Sequence, residues 1–145
     1  IRSGANSGKY GYEVTDVCVT LTGGSYHRVD SDGLSFKMAG AHCFRKAVNE
    51  LSTKIMEPIM RVEIVVPEEY TGDVMSNLNA RRALVKGMDV YPAGNKKEIH
   101  AEVPLSEMFG YATELRSISQ GRATYVMQFL KFRTLPEKIF RKKFA

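Results

Sequence analysis

The feature that most limits the possible folds of this chain is the order of apolar patterns between residues 56 and 135. Apolar residues alternate, as in half-buried strands, along four segments: 60–66, 84–90, 99–103 and 125–130. Apolar residues recur at helical spacing along two others, 68–80 and 106–120. The resulting order, strand-helix-strand-strand-helix-strand, predicts a ferredoxin-like sandwich in which two helices cover one face of an antiparallel sheet.

Local signals predict where the second helix begins and ends. Ser106 is placed to accept hydrogen bonds from the free amides of a helix start, and Glu107 lies where the positive helix end favours an anion. Gly121 follows the last apolar position, where a left-handed cap is expected. Residues 92–95, Pro-Ala-Gly-Asn, predict the turn between the second and third strands.

The first 55 residues predict a smaller module. Residues 12–21 and 25–29 alternate as two strands around Gly23-Gly24, which indicates a hairpin. A helix is predicted from Asp30 or Ser31 to about Glu50, and its apolar stripe comprises Phe36, Gly40, Cys43, Phe44, Ala47 and Leu51. One hairpin and one helix bury little apolar surface, so this module is expected to be part of a larger domain. The predicted class is α+β: part of a second α+β domain (1–55), the ferredoxin-like domain (56–135) and a basic C-terminal tail (136–145).

The basic charge of the chain is concentrated in its last residues. The net charge is +5, and residues 131–145 hold six basic residues against one acidic residue, which is already +5. Residues 1–130 therefore hold 15 basic and 15 acidic residues and sum to zero. Such a tail is typical of an RNA or phosphate contact, and equally of a solvated terminus.

No arrangement of side chains predicts a catalytic or metal site. His27, His42 and His100 fall in three different predicted elements, without metal-ligand spacing. Gly4 to Lys9 imitate a phosphate-binding loop, but the spacing is one residue short and Tyr10 replaces the Ser or Thr. Cys18 and Cys43 are expected to be buried small apolar residues in a reducing compartment. No apolar run reaches membrane-spanning length.

Several separated strings resemble elongation factor G, the translocation GTPase of bacterial-type ribosomes. They are GSYHRVDS at 24–31, LSFK at 34–37, EPIMRVE at 57–63, PEEYTGDV at 67–74, LNARR at 78–82 and the long stretch 102–129. The resemblance covers nearly the whole chain in the order of the family. It implies that residues from about 57 form the fifth, C-terminal domain of such a factor, and that residues 1 to about 55 form the later half of its fourth domain.

The resemblance also implies a function and a set of contact residues. In the family, the tip of the fourth domain enters the decoding site of the ribosome and contacts the tRNA–mRNA duplex, which here would involve Ser25, Tyr26, His27 and Arg28. The fifth domain lies near large-subunit rRNA, for which the candidates are Arg81, Arg82, Arg116 and Arg122. Each of these arginines is equally compatible with the role of a surface salt-bridge partner. The implied partners are thus both ribosomal subunits in the cytoplasm, with no membrane. No cofactor is expected in this chain, since GTP and magnesium would belong to the family's GTP-binding domain.

Two alternatives remain open at the level of sequence. Ala83 stands where the family commonly has Gly, Asn77 where it commonly has Asp, and Asp32-Gly33 alter the start of the tip helix. These departures fit a paralogue, such as a recycling-type factor. A stand-alone ferredoxin-like RNA-binding module is a second alternative, but the third strand, 99–103, lacks the aromatic residues that such modules stack on bases.

Overall fold

The computed structural model describes residues 2–92 and 94–144, and its contacts divide the chain into two compact units. Unit one comprises residues 2–54 with 141–144, and unit two comprises Ile55–Phe140. The helices are α1 (Arg2–Ala5), α2 (Gly33–Glu50), α3 (Thr71–Ala80), α4 (Tyr111–Ile118) and α5 (Glu137–Phe144). The strands are β1 (Met56–Pro67), β2 (Leu84–Val90), β3 (Lys96–Pro104) and β4 (Thr124–Thr134).

Unit two has the predicted ferredoxin-like fold. Its four strands lie in the order β2-β3-β1-β4, and each neighbouring pair is antiparallel. The central strand β1 alternates because its inward residues, such as Val62 and Ile64, are completely buried while Arg61 is exposed. The inward side chains pack against Val74 and Leu78 of α3 and against Tyr111 and Leu115 of α4. The prediction of an α+β ferredoxin-like domain is therefore confirmed.

The face of the sheet opposite the helices is polar along its two central strands. Arg61 pairs with Glu102 and Glu63 with His100 in the β1–β3 register, so these side chains alternate with the core residues. Tyr125, an aromatic residue of β4, lies on the helix side instead, where its ring is 5.1 Å from that of Tyr111. Among the described residues, β1 and β3 therefore present no aromatic platform for stacked bases, which argues against the stand-alone RNA-binding module.

Glu102 on this polar face makes the stability of unit two dependent on pH. Its carboxylate lies 3.1 Å from the Lys131 ammonium and 3.3 Å from that of Lys86. The hydrogen bond from Lys131 outweighs partial burial and lowers the pKa of Glu102 in the folded state. Because the folded pKa lies below the unfolded value of about 4.3, the stabilisation is complete above that value and is lost as the pH falls below it.

We accordingly expect Glu102→Gln to be less stable than the wild type at neutral pH, and this deficit to shrink as the pH falls below about 4.3. Urea denaturation at neutral and at acidic pH measures this difference. A deficit of the same size at low pH would show that lost packing, and not lost charge, is responsible.

The beginning of α4 differs from the prediction. Leu105–Glu107 form a single 3-10 turn, Ser106 caps no helix, and α4 begins at Tyr111 after Gly110 in the left-handed conformation (φ +74°). The turn allows Met108 to be buried before the helix starts. The predicted C-terminal cap is confirmed, since Gly121 has φ +78° and its amide donates to the Arg116 carbonyl at 2.8 Å. In the predicted 92–95 turn, Gly94 has φ +95°, while Ala93 lies outside the described residues.

The hairpin predicted in unit one is wrong. Residues 12–29 contain no strand, and Leu21 and Val29 are more than four-fifths exposed. A two-stranded hairpin is marginal in water unless a third strand or a helix covers its apolar face. No described strand pairs with this segment, so its alternating pattern does not form a sheet here.

Helix α2 is present, but its buried face is narrower than its apolar stripe. Ala41, Phe44 and Val48 are buried, whereas Phe36 and Leu51 are exposed. A Cβ atom added to Gly4 of α1 would lie 3.2 Å from the Ala41 backbone, so this glycine allows the two helices to approach closely.

The prediction that both cysteines are buried is wrong. Cys18 lies in the segment that forms no sheet, and Cys43 lies on a part of α2 that is left uncovered; both are exposed and unpaired. Burial on α2 therefore depends on which positions a neighbouring element covers, and not on the apolar character of the residue alone.

Candidate functional site

The loop that carries the predicted tip residues is closed by its own hydrogen bonds. The His27 amide donates to the Ser31 hydroxyl at 2.8 Å, and the Ser31 amide donates to the His27 carbonyl at 3.1 Å. Asp32 then caps α2 by accepting from the Ser35 amide and hydroxyl, each at 2.6 Å. These two hydrogen bonds lower the pKa of Asp32. The Asp32-Gly33 pair therefore supplies a regular N-cap to α2.

The tip loop exposes four different side chains over four consecutive residues. Ser25, Tyr26, His27 and Arg28 are all exposed, and the Tyr26 and His27 side chains are each 69% accessible. The His27 Nδ1 atom lies 3.0 Å from an Asp30 carboxylate oxygen, which orients the imidazole. Arg28 makes no ion pair with any described residue. A phenol, an imidazole and a guanidinium exposed on consecutive residues can stack on bases and donate to phosphate.

Arg81 lies between α3 and α4, with its side chain only 14% exposed. Its guanidinium donates to the carbonyl of Glu107, to the carboxylate of Glu114 and, at 3.0 Å, to the Asn77 side chain. It also lies over the Tyr111 ring, 5.1 Å from the centroid. The bonds to Arg81 lower the pKa of Glu114. Arg81 therefore connects two helices within unit two.

Arg82 occupies the left-handed position after α3, with φ +58°. The Ala83 amide donates to the Leu78 carbonyl at 3.1 Å, which completes the helix end in the manner that glycine usually permits. This backbone directs the guanidinium to the buried Glu57 carboxylate at 2.6 Å and to Glu107 at 3.0 Å. Glu57 is 7% exposed, and its other cationic neighbour, Arg133, lies 3.7 Å away.

The other two candidate arginines are exposed. Arg122 forms an ion pair with Glu69 at 2.6 Å, donates to the Tyr70 hydroxyl and stacks on the Tyr70 ring, 4.8 Å from its centroid. The hydrogen bond to Tyr70 raises the pKa of Arg122. Arg116 is exposed on α4 and makes no ion pair with a described residue. An open groove of about 630 Å³ adjoins Arg122, lined also by Pro67, Glu68, Glu69, Gly94, Asn95 and Lys96.

The eight candidate residues divide between the two units. Four lie in the tip loop of unit one; Arg81 and Arg82 are committed to internal partners, and Arg116 and Arg122 lie at the surface of unit two. Sequence reasoning did not single out Glu57 or Glu114 as the partners of these arginines. Neither has a periodic or spacing signal, because they lie 25 and 33 residues from Arg82 and Arg81.

The described residues contain no group of three or more His, Cys, Asp or Glu side chains that could hold a metal ion. The segment that imitates a phosphate loop, Gly4 to Lys9, begins in the short helix α1 instead of following a strand. Within residues 2–92 and 94–144, no helix is long and apolar enough to cross a membrane.

Comparisons with known proteins identify both parts of the chain. Residues 54–143 match the family described as elongation factor G C-terminus, and residues 1–51 match elongation factor G, domain IV. A crystal structure of a protein from Thermus thermophilus is similar to this chain, with a TM-score of 0.85 and 33% sequence identity over 97% of the chain. The chain spans 21% of the length of that protein.

The two matched regions define a module of a translation elongation factor, with a ferredoxin-like C-terminal domain. The chain belongs to the elongation factor G family, of which it represents domain IV and the C-terminus.

Proposed function

We propose that this chain is the part of a ribosomal translocase that enters the decoding site, with GTP hydrolysis performed by a GTP-binding domain of the same factor. The observation that carries the proposal is the tip loop, whose hydrogen-bonded turn presents Tyr26, His27 and Arg28 to solvent. Membership in the elongation factor G family supports this placement. The proposed partners are the tRNA–mRNA duplex, both ribosomal subunits and large-subunit rRNA, in the cytoplasm.

The exposed side chains of the tip loop are suited to contact with a moving tRNA–mRNA duplex. Aromatic rings stack on unpaired bases or sugars, and a guanidinium binds phosphate without reading sequence. Such contacts do not depend on the base sequence of the codon, and a translocase must act on every codon. The loop is fixed on its C-terminal side by Ser31 and by the Asp32 cap, which reduces the conformational entropy that His27 loses on binding.

For the large-subunit rRNA, the exposed Arg116 and Arg122 are better candidates than Arg81 and Arg82. A long exposed cation can reach a phosphate at low cost, whereas freeing Arg81 or Arg82 would break ion pairs within unit two.

We expect His27→Ala in the full-length factor to slow tRNA–mRNA movement by about tenfold while GTP hydrolysis changes little. Loss of one stacking contact costs about 1–3 kcal/mol, and about 1.4 kcal/mol corresponds to a factor of ten. Stopped-flow fluorescence of labelled mRNA measures movement, and phosphate release measures hydrolysis in the same reaction. The matched control is His42→Ala, since His42 is an exposed histidine of α2 outside the tip loop.

An unchanged rate of movement in His27→Ala would remove His27 from the proposed site. His27→Phe tests the mechanism further, because it keeps the aromatic ring and loses both nitrogens; recovery of the rate would assign the effect to stacking. If the wild-type factor splits ribosomes into subunits and does not move mRNA, the recycling-type function replaces translocation.

A further inference from the structure

Most of the excess positive charge of the chain is carried by helix α5. Six basic residues and one acidic residue fall in 131–145. Two of the six are engaged by unit two, because Lys131 lies 3.1 Å from Glu102 and Arg133 lies 3.7 Å from Glu57. The other four basic residues, Lys138, Arg141, Lys142 and Lys143, lie in α5 together with Glu137. These eight residues therefore carry a net charge of +3.

The two faces of α5 differ. Phe140 and Phe144 are four residues apart, share one face and are partly buried. The Phe144 ring packs edge-on against Tyr10 at 5.6 Å and Tyr12 at 6.2 Å, between centroids. Lys138 and Lys142 are also four residues apart, and they lie about 200° around the helix from the phenylalanines. Both lysines are exposed, and neither forms an ion pair with a described residue.

We propose that the Lys138–Lys142 face of α5 binds the phosphate backbone of ribosomal RNA. This inference rests on the proposed function, and it adds a contact that is separate from the tip loop and from the exposed arginines of unit two. Lysine ammonium groups act as point charges toward phosphate and require no fixed bidentate geometry. Two of them one helical turn apart, on a helix held by its opposite face, form a pre-positioned site for a polyanion.

The structure favours RNA over a membrane surface as the partner. An interfacial helix inserts its apolar face among lipids. In α5 the apolar face is already used, since Phe144 packs against two tyrosines of unit one. Only the cationic face remains available, and a cationic face without apolar residues is typical of contact with phosphate in water.

The experiment measures the affinity of the full-length factor for ribosomes as a function of salt concentration. Each phosphate contact contributes about 0.7–0.9 to the slope of log K against log salt, so Lys138→Gln/Lys142→Gln is expected to reduce the slope by about 1.5. Glutamine keeps the helix propensity of lysine, which preserves α5. The control is Lys46→Gln/Lys54→Gln, which removes the same charge from two other exposed lysines and is expected to leave the slope nearly unchanged.

A slope that is the same in the α5 variant and the wild type overturns this inference alone, provided that the wild type binds. Equal reductions in both variants also overturn it, because net charge would then explain the effect. If the wild type does not bind ribosomes at all, the proposed function fails as well. If the α5 variant keeps its ribosome affinity but no longer binds phosphatidylglycerol vesicles, the partner of α5 is a membrane.

Discussion

Replacing Arg82 with alanine is expected to lower the free energy of unfolding of unit two by about 3 kcal/mol, because it leaves a buried carboxylate without its main partner. Glu57 is 7% exposed, and Arg82 contacts both of its oxygens, at 2.6 and 3.4 Å. Arg133, at 3.7 Å, compensates only in part. Urea denaturation of the chain measures the change, with an unaltered m-value as evidence that the same surface unfolds.

Two further variants separate the contributions of the ion pair and the backbone. Arg82→Gly should be less destabilised than Arg82→Ala by about 1 kcal/mol, since glycine adopts the positive φ of this position without strain. Glu57→Gln added to Arg82→Ala should recover stability, because it removes the unpaired charge. Arg116→Ala is the control, with an expected change within about 0.5 kcal/mol. An Arg82→Ala variant as stable as that control would contradict the role of the ion pair.

Replacing Arg81 with alanine is expected to cost about 2 kcal/mol, mainly from the loss of charge-assisted hydrogen bonds to partly buried groups. Arg81 donates to the Glu107 carbonyl, which precedes α4, and to Glu114, which lies within α4. Faster amide hydrogen exchange is therefore expected first in α4. Chemical denaturation and hydrogen exchange measure the two effects.

Arg122→Ala provides the comparison for Arg81. Arg122 also has an acidic partner and stacks on an aromatic ring, but its side chain is 51% exposed. Exposed ion pairs contribute about 0–1 kcal/mol, so Arg122→Ala should change stability much less than Arg81→Ala. Equal losses of stability in the two variants would show that the difference in burial does not determine the contribution of each arginine.

The ion-pair partners of Arg81 and Arg82 could not be predicted from the sequence, although the two residues are adjacent. The LNARR string contains both, and its resemblance to a translation factor made both candidates for rRNA contact, with a salt-bridge role equally open. In the structure, Arg82 joins that string to Glu57 in the EPIMRVE string, while Arg81 joins it to the stretch around Tyr111. Sequence separations of 25 and 33 residues carry no local signal, so only the packing of α3 against β1 and α4 reveals these pairs.

Features of this chain that arise within a few residues were predictable from its amino-acid pattern. Alternation and helical spacing predicted the order of the elements in unit two, and Gly121 predicted the end of α4. The charge count showed that the excess of basic residues lies in the last fifteen residues. These are short-range properties, because a strand or a helix end depends mainly on adjacent side chains and backbone angles.

Which surfaces are covered depends on contacts between elements that are distant in the chain. The alternating residues 12–29 form no strand, since no described element pairs with them, and Cys43 is exposed because α1 covers a different part of α2. The same holds for charge: of the four candidate arginines, two are engaged inside unit two and two lie at its surface. Burial and ion pairing depend on residues distant in the chain, and local patterns do not contain that information.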